Sequence, residues 1–152
     1  MADALPFVTF NFRVNLEVPG SGVLCQAAFS DCDGLEMSMA PKTIREGGNN
    51  TRPIHLAGPV TYGQLTLKRG MTADFALWRW FDRSQRERSV RASGEIHVLT
   101  PEGERKGEVA VKFSLTNCLP VKIKAPALSA KDGLIAIEEM QLVYETLALE
   151  EG

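Results

Sequence analysis

An alternation of apolar and polar residues with a period of two governs most of this chain, and that period dictates strands with one buried face. It is cleanest at Phe10, Phe12, Val14, Leu16 and Val18, with Asn11, Arg13, Asn15 and Glu17 between them, and it stops at Pro19-Gly20-Ser21-Gly22. Similar runs cover Val23 to Cys32, Leu35 to Ala40, Tyr62 to Lys68, Val90 to Val98, Val109 to Leu115 and Val121 to Lys124. Asp33-Gly34 reads as a hairpin turn between the second and third runs. In the last run Ile135 and Ile137 hold one parity and Met140, Leu142 and Tyr144 the other, so a β-bulge is expected at Glu138-Glu139.

One segment changes period. Thr72 is placed to cap a helix, Asp74 falls in its first turn, and Phe75, Leu77, Trp78 and Phe81 fill one broad face up to about Arg83. Trp78 and Trp80 are read as core and core-edge residues rather than a ligand-stacking pair. A single helix cannot cover seven or eight half-buried strands, so the strands must close on each other as a sandwich or barrel. The 152 residues suit one domain spanning the whole sequence, 1–152.

The segment from Ile44 to Pro59 breaks the strand pattern. It carries Arg45, Glu46, Gly47, Gly48, Asn49 and Asn50, and its glycines and asparagines are the residues that best tolerate positive φ. Long ordered loops are uncommon in compact domains and usually functional, so this one is expected to dock on something.

Composition narrows the function classes. A formal net charge of -2 argues against nucleic acid as the main partner, because phosphate binding needs a basic surplus. The basic cluster from Arg79 to Arg91 is diluted by Asp82 and Glu87 and reads as a solvated helix end. No apolar run approaches the ~20 residues of a membrane span. Met1 to Pro6 has no basic region leading into an apolar core, so no Sec-type signal is expected. Cys25, Cys32 and Cys118 are odd in number, form no CxxC and lie in or beside apolar runs, which fits reduced thiols.

Signals of chemistry are weak. His55 and His97 lie on unlike elements, and there is no HExxH, GxSxG or Walker loop. Gly20-Ser21-Gly22 joins two strands and lacks a third glycine, unlike a nucleotide loop. Asp31 and Asp33 lack the remaining ligands of a calcium loop. Asn49-Asn50-Thr51 matches a glycosylation sequon only formally. No catalytic, cofactor-binding or metal-ligating residue is assigned, and no cofactor and no enzymatic activity are expected.

Several segments together resemble the contractile tail tube family. Phe29-Ser30-Asp31-Cys32-Asp33-Gly34-Leu35-Glu36 resembles its F-x-E-C/V-S-G-L-E segment, and Ile44-Arg45-Glu46-Gly47-Gly48-Asn49-Asn50 its I-x-E-G-G-x-N loop. Leu67-Lys68-Arg69-Gly70 and Leu77-Trp78-Arg79-Trp80 resemble L-K-R-G and L-W-x-W. Asn117-Cys118-Leu119-Pro120-Val121-Lys122 resembles N-A-x-P-x-K, and the stretch from Ala136 to Glu145 resembles A-I-E-x-x-x-L-x-x-E. Departures fall at Asp31, Asp33 and Leu119. The ordered set covers nearly the whole chain.

The resemblance implies a protomer that forms hexameric rings with a shared β-barrel lumen. Stacked rings would build the inner tube of a phage tail or an extracellular contractile injection system. Implied partners are further copies of the chain, a sheath protein, baseplate and tube-cap proteins, and protein cargo in the lumen, with no membrane insertion by this chain alone. Assembly would take place in the bacterial cytoplasm, giving a phage tail-like particle. The loop at about 44–59 would make contacts between protomers. Asn11, Arg13, Ser93, Glu95, His97, Lys112 and Ser114 supply candidates for the lumen and outer walls. Alternatives of the same fold are a tube-initiating baseplate protein and a type VI secretion tube protein; one of a different class is a small-molecule-binding β-barrel.

Overall fold

The computed structural model describes residues 12–20, 22–27, 29–45, 52–72, 74–99, 109–131, 133 and 135–151. Twelve strands and one helix are found among them. The body is one folded ladder in the order β2 (Gly22–Ala27), β1 (Phe12–Val18), β9 (Ala92–Leu99), β10 (Val109–Lys124), β11 (Ile137–Val143), β8 (Gln64–Gly70) and β3 (Asp31–Asp33), with β12 (Thr146–Glu151) also paired to β10. Helix α1 (Ala76–Arg86) packs against β10 and β2.

β10 is where the ladder folds over. The two runs expected at Val109 to Leu115 and Val121 to Lys124 form one strand of 16 residues. Its first half pairs with β12, from Val111↔Glu151 to Thr116↔Thr146, and its second half with β11, from Leu119↔Val143 to Lys124↔Glu139. At the join Asn117 adopts φ 51°, a left-handed conformation that asparagine tolerates better than most residues. Its Nδ2 donates to Glu145 Oε2 at 2.8 Å, and Glu145 N donates to Thr116 O at 2.9 Å. The bend sets β1–β9–β10 against β8–β11, and Val14, Leu16, Ile96, Leu115, Leu65, Leu67, Met140 and Leu142 meet in one core.

Three expectations are corrected. No bulge lies at Glu138-Glu139: β11 runs in unbroken register with β8 from Ile137↔Gly70 to Val143↔Gln64, and the shift is across the ladder, on β10 between Pro120 and Lys122. The apolar parity changes because a charged residue holds the inner position. Glu138 points into the core opposite Arg69, while Ile137 is 42% exposed. Asp33-Gly34 makes no hairpin either. β3 pairs with β8, whereas β4 (Met37–Met39) pairs with β7 (Val60–Tyr62).

The third correction concerns the helix. It ends at Arg86, not Arg83, and Phe75 precedes it as the N-cap residue, 44% exposed, rather than contributing to the inner face. Thr72 acts one step earlier than a cap: its Oγ1 accepts from Asp74 N at 3.2 Å, and Asp74 Oδ1 accepts from Ala76 N at 3.1 Å. Leu77 and Trp80 are the buried helix residues, Phe81 packs against the core, and Trp78 is half-buried.

Candidate functional site

The motif residues are spent on one another. Arg69 Nε donates to Glu138 Oε1 at 2.6 Å, and Trp78 Nε1 donates to Glu138 Oε2 at 2.8 Å. The guanidinium also reaches Asp74 O at 3.1 Å and lies 5.5 Å from the Phe29 ring centroid. Both charges are buried, so each needs the other to offset lost hydration. This knot ties β8, β11 and α1 together, and it draws on the L-K-R-G, L-W-x-W and A-I-E segments at once.

Tyr144 forms a second knot. Its hydroxyl donates toward Gly34 O at 2.8 Å and Glu36 O at 3.1 Å, and accepts from Glu36 N at 3.2 Å. Its ring sits 5.7 Å from that of Tyr62. Gly34, at φ 111°, leaves no room for a Cβ, which would stand 2.1 Å from Gln64 O. These contacts hold the root of a projecting ribbon.

A two-stranded ribbon occupies the described part of the segment expected as a loop at 44–59 and extends beyond it at both ends. β4 and β5 (Lys42–Ile44) run outward, and β6 (Ile54–Leu56) and β7 run back. The pairs are Met37↔Tyr62, Met39↔Val60, Lys42↔Leu56 and Ile44↔Ile54. Between the two halves the return strand carries one residue more, and a Cβ on Gly58 would fall 1.8 Å from Ala40 O. Side-chain contacts cross the ribbon at two levels, with Ser38 Oγ and Thr61 Oγ1 3.0 Å apart and Thr43 Oγ1 3.4 Å from His55 Nδ1. Met37, Met39, Ile44, Ile54, Leu56 and Val60 are 40% to 59% exposed. Arg45 follows β5 and is exposed; Glu46, Gly47, Gly48, Asn49 and Asn50 lie outside the described residues.

The body carries a second distinctive surface. Strand pairing aligns Arg13, His97, Lys112 and Glu150 in one row across β1, β9, β10 and β12, and Asn15, Glu95, Ser114 and Ala148 in the next. Ser93 pairs with Glu17 in the row beyond. Apolar neighbours such as Val14, Leu16 and Ile96 point the other way, into the core, so these polar residues share the outer face. Asn11 lies outside the described residues. Lys112 Nζ lies 2.8 Å from Glu150 Oε2 and 3.7 Å from Glu95 Oε2, and His97 Nε2 lies 3.0 Å from Glu95 Oε2. The His97 hydrogen bond holds the Glu95 carboxyl below its ordinary range, and Lys112 does the same for Glu150. The carboxylates in turn raise the Lys112 ammonium. Opposite charges thus alternate at short range and largely cancel.

Neither histidine belongs to a metal-type cluster: among the described residues no three His, Cys, Asp or Glu side chains gather closely enough to hold an ion. Burial pushes the Cys32 and Cys118 thiols up to about 12, which suppresses thiolate chemistry. No described helix is long and apolar enough to cross a membrane.

A bent two-sheet body with a charge-balanced outer face, one helix and a projecting apolar ribbon defines a building-block protein of the tail tube type. The chain belongs to the T4-like virus tail tube protein gp19 family, which it matches over residues 8–148. Among solved structures, a chain of the anti-feeding prophage (AFP) baseplate, determined with 6-fold symmetry, is similar at 28% identity, with a TM-score of 0.81 and 98% of each chain covered. A chain of an extracellular contractile injection system, the PVC sheath–tube complex in its extended state, gives 20% identity and a TM-score of 0.78, covering 97% of this chain and 93% of that one. An Hcp protein shares the fold at 8% identity and a TM-score of 0.61, covering 93% of this chain and 99% of its own. No curated protein sequence gives a significant match.

Proposed function

We propose that this chain is the non-enzymatic protomer of the inner tube of a contractile injection system or phage tail, a single domain whose ribbon is an assembly device. Six protomers close into a ring, rings stack, and the tube is driven by a contracting sheath through a target envelope while its lumen holds or passes cargo. Sheath, baseplate and cap proteins are its partners, and the particle assembles in the bacterial cytoplasm.

The observation that carries the reading is the ribbon. Its strands pair with each other and with no strand of the body, yet six of its apolar side chains face solvent. A contiguous exposed apolar patch of this kind marks an interaction site. Contacts between two different surfaces of identical chains propagate into rings or open filaments. The rows through Arg13, His97, Lys112 and Glu150 and through Glu95 support a luminal wall: they are polar, and Lys112 and His97 meet Glu150 and Glu95, which leaves a passing polypeptide fewer uncompensated charges.

A second reading, a tube-initiating protein at the baseplate, is favoured by the 28% identity to a chain of the AFP baseplate structure. Negative-stain imaging separates the two. A main tube protein polymerises into long tubes once nucleated, whereas an initiator stops at one or two rings. Monomers at every concentration, with baseplate components present, would refute both.

A further inference from the structure

Resting on the tube reading, the next question is where the ribbon of one copy lands on another. Three open clefts lined by described residues differ in charge. The first, about 590 Å3, is lined by Lys68, Lys124, Ile135 and Ile137, and its one carboxylate, Glu139, already lies 3.7 Å from Lys68. The second, about 250 Å3, lies between the β1–β2 turn and α1 and is flanked by Arg79 and Arg83. The third, about 440 Å3, opens at the lower mouth of the sandwich. Phe12, Ile96, Val98 and Phe113 form one wall, and Cys32 and Leu35 the other. Asp31 stands at its rim, paired across the ladder with Lys68 of β8, and no cation lines the cleft itself.

The ribbon has the complementary chemistry. From Met37 to Tyr62 its sequence carries Lys42, Arg45 and Arg52 against a single carboxylate, Glu46. Its apolar side chains need an apolar seat, and its cations need acid at the rim. The two lysine- or arginine-flanked clefts repel it, and the third attracts it. We infer that the cleft between Phe12, Val98, Phe113 and Cys32, with Asp31 at its rim, receives the ribbon of a neighbouring copy.

A chain cannot fill its own cleft in this way. Leu35 belongs to the cleft wall, and the ribbon starts two residues later from a root clamped by Tyr144 and by Gly63 N donating to Glu36 O at 2.9 Å. The eight residues from Met37 to Ile44 carry the ribbon about 26 Å outward at the rise of an extended strand. The contact is therefore between two different surfaces of two copies, and each copy still offers a free ribbon and a free cleft, which lets the arrangement continue.

Cysteine pairing in assembled tubes tests the seat. Ile44→Cys combined with Ser30→Cys, at the cleft rim, is expected to give a ladder of linked protomers on oxidation with copper phenanthroline. Ile44→Cys combined with Ser129→Cys, in the first cleft, is expected to give none. Normal tubes with no ladder from the Ser30 pair, or with the ladder from the Ser129 pair instead, would overturn the seat while leaving the tube reading intact. Charge reversal gives a second route. Asp31→Arg should abolish tubes at unchanged melting temperature, and adding Lys42→Glu and Arg45→Glu should restore them. Unimpaired assembly of the aspartate variant overturns the inference, and wild-type protein that never forms tubes overturns the reading beneath it.

Discussion

Body and ribbon treat apolar strand residues in opposite ways. Leu16, Leu65, Met140 and Leu142 are at most 1% exposed in the body, whereas Met37, Met39, Ile44 and Ile54 in the ribbon are 42% to 59% exposed. The body even buries charge, because Arg69 and Glu138 satisfy each other inside it. The ribbon keeps methionine and isoleucine in solvent while its strands pair only with each other. Stability therefore resides in the body, and the ribbon's exposed side chains are the ones proposed to meet a surface outside the chain.

That contrast breaks first at Glu138. Glu138→Ala leaves Arg69 buried without its closest anion and frees Trp78 Nε1, and removing one partner of a buried pair costs about 3–5 kcal/mol. Urea denaturation of the unassembled protein should show a loss of that order. A loss below about 1 kcal/mol would mean that water already serves the pair and the knot is not structural. Tyr144→Phe is the next largest. It removes the hydroxyl that meets Gly34 and Glu36 while the ring contact with Tyr62 stays, and a hydrogen bond of this kind is worth about 0.5–1.5 kcal/mol. Amide exchange at Glu36 and Gly63 should rise with it; protection unchanged at both would place the ribbon's anchor elsewhere.

Substitutions on the ribbon should behave in reverse. Met39→Ser with Ile44→Ser is expected to move the stability of the free protomer by no more than about 0.5 kcal/mol per site, as for surface positions generally. The same variant should fail to form tubes by negative stain. A large drop in stability would show that these side chains pack within their own chain, and the contrast with the body would collapse.

What the sequence made legible follows the same division. The period of two located β1, β8, β9 and most of β10, because each buries alternate residues that are apolar in fact. It failed where burial is charged. Arg69 continues the inner parity of Leu65 and Leu67, and Glu138 that of Met140 and Leu142, but a pattern scored on apolarity registers both as breaks and invents a bulge. Oppositely charged residues at inner positions of two runs were the available signal. β4 falls in the run from Leu35 to Ala40 that the period marks as a strand, but Ile44 to Pro59 reads as a loop from its glycines, its asparagines and its Gly58-Pro59 end, while the pairing of Lys42 with Leu56 and Ile44 with Ile54 depends on contacts that no local pattern encodes. The polar face was legible residue by residue, but its rows needed the register.

The smallest effect tests whether the ion pairs on that polar face matter at all. Glu95 is held below its ordinary range chiefly by His97, with Lys112 assisting. A carboxyl depressed in the folded state adds stability above its unfolded pKa and loses it as pH falls through the folded value. Wild-type protein should therefore exceed Glu95→Gln slightly in urea midpoint at pH 7, and the two should converge near pH 3. The raised Lys112 ammonium has the opposite sense: its contribution is complete below its ordinary range and fades only in strongly alkaline solution. Both groups face solvent, so added salt should shrink the pH 7 difference further. A difference unchanged between pH 7 and pH 3 would assign Glu95 a packing role. One that vanishes with acid and salt would leave the outer face as a balanced charge mosaic that stabilises little, as the luminal wall proposed for it requires.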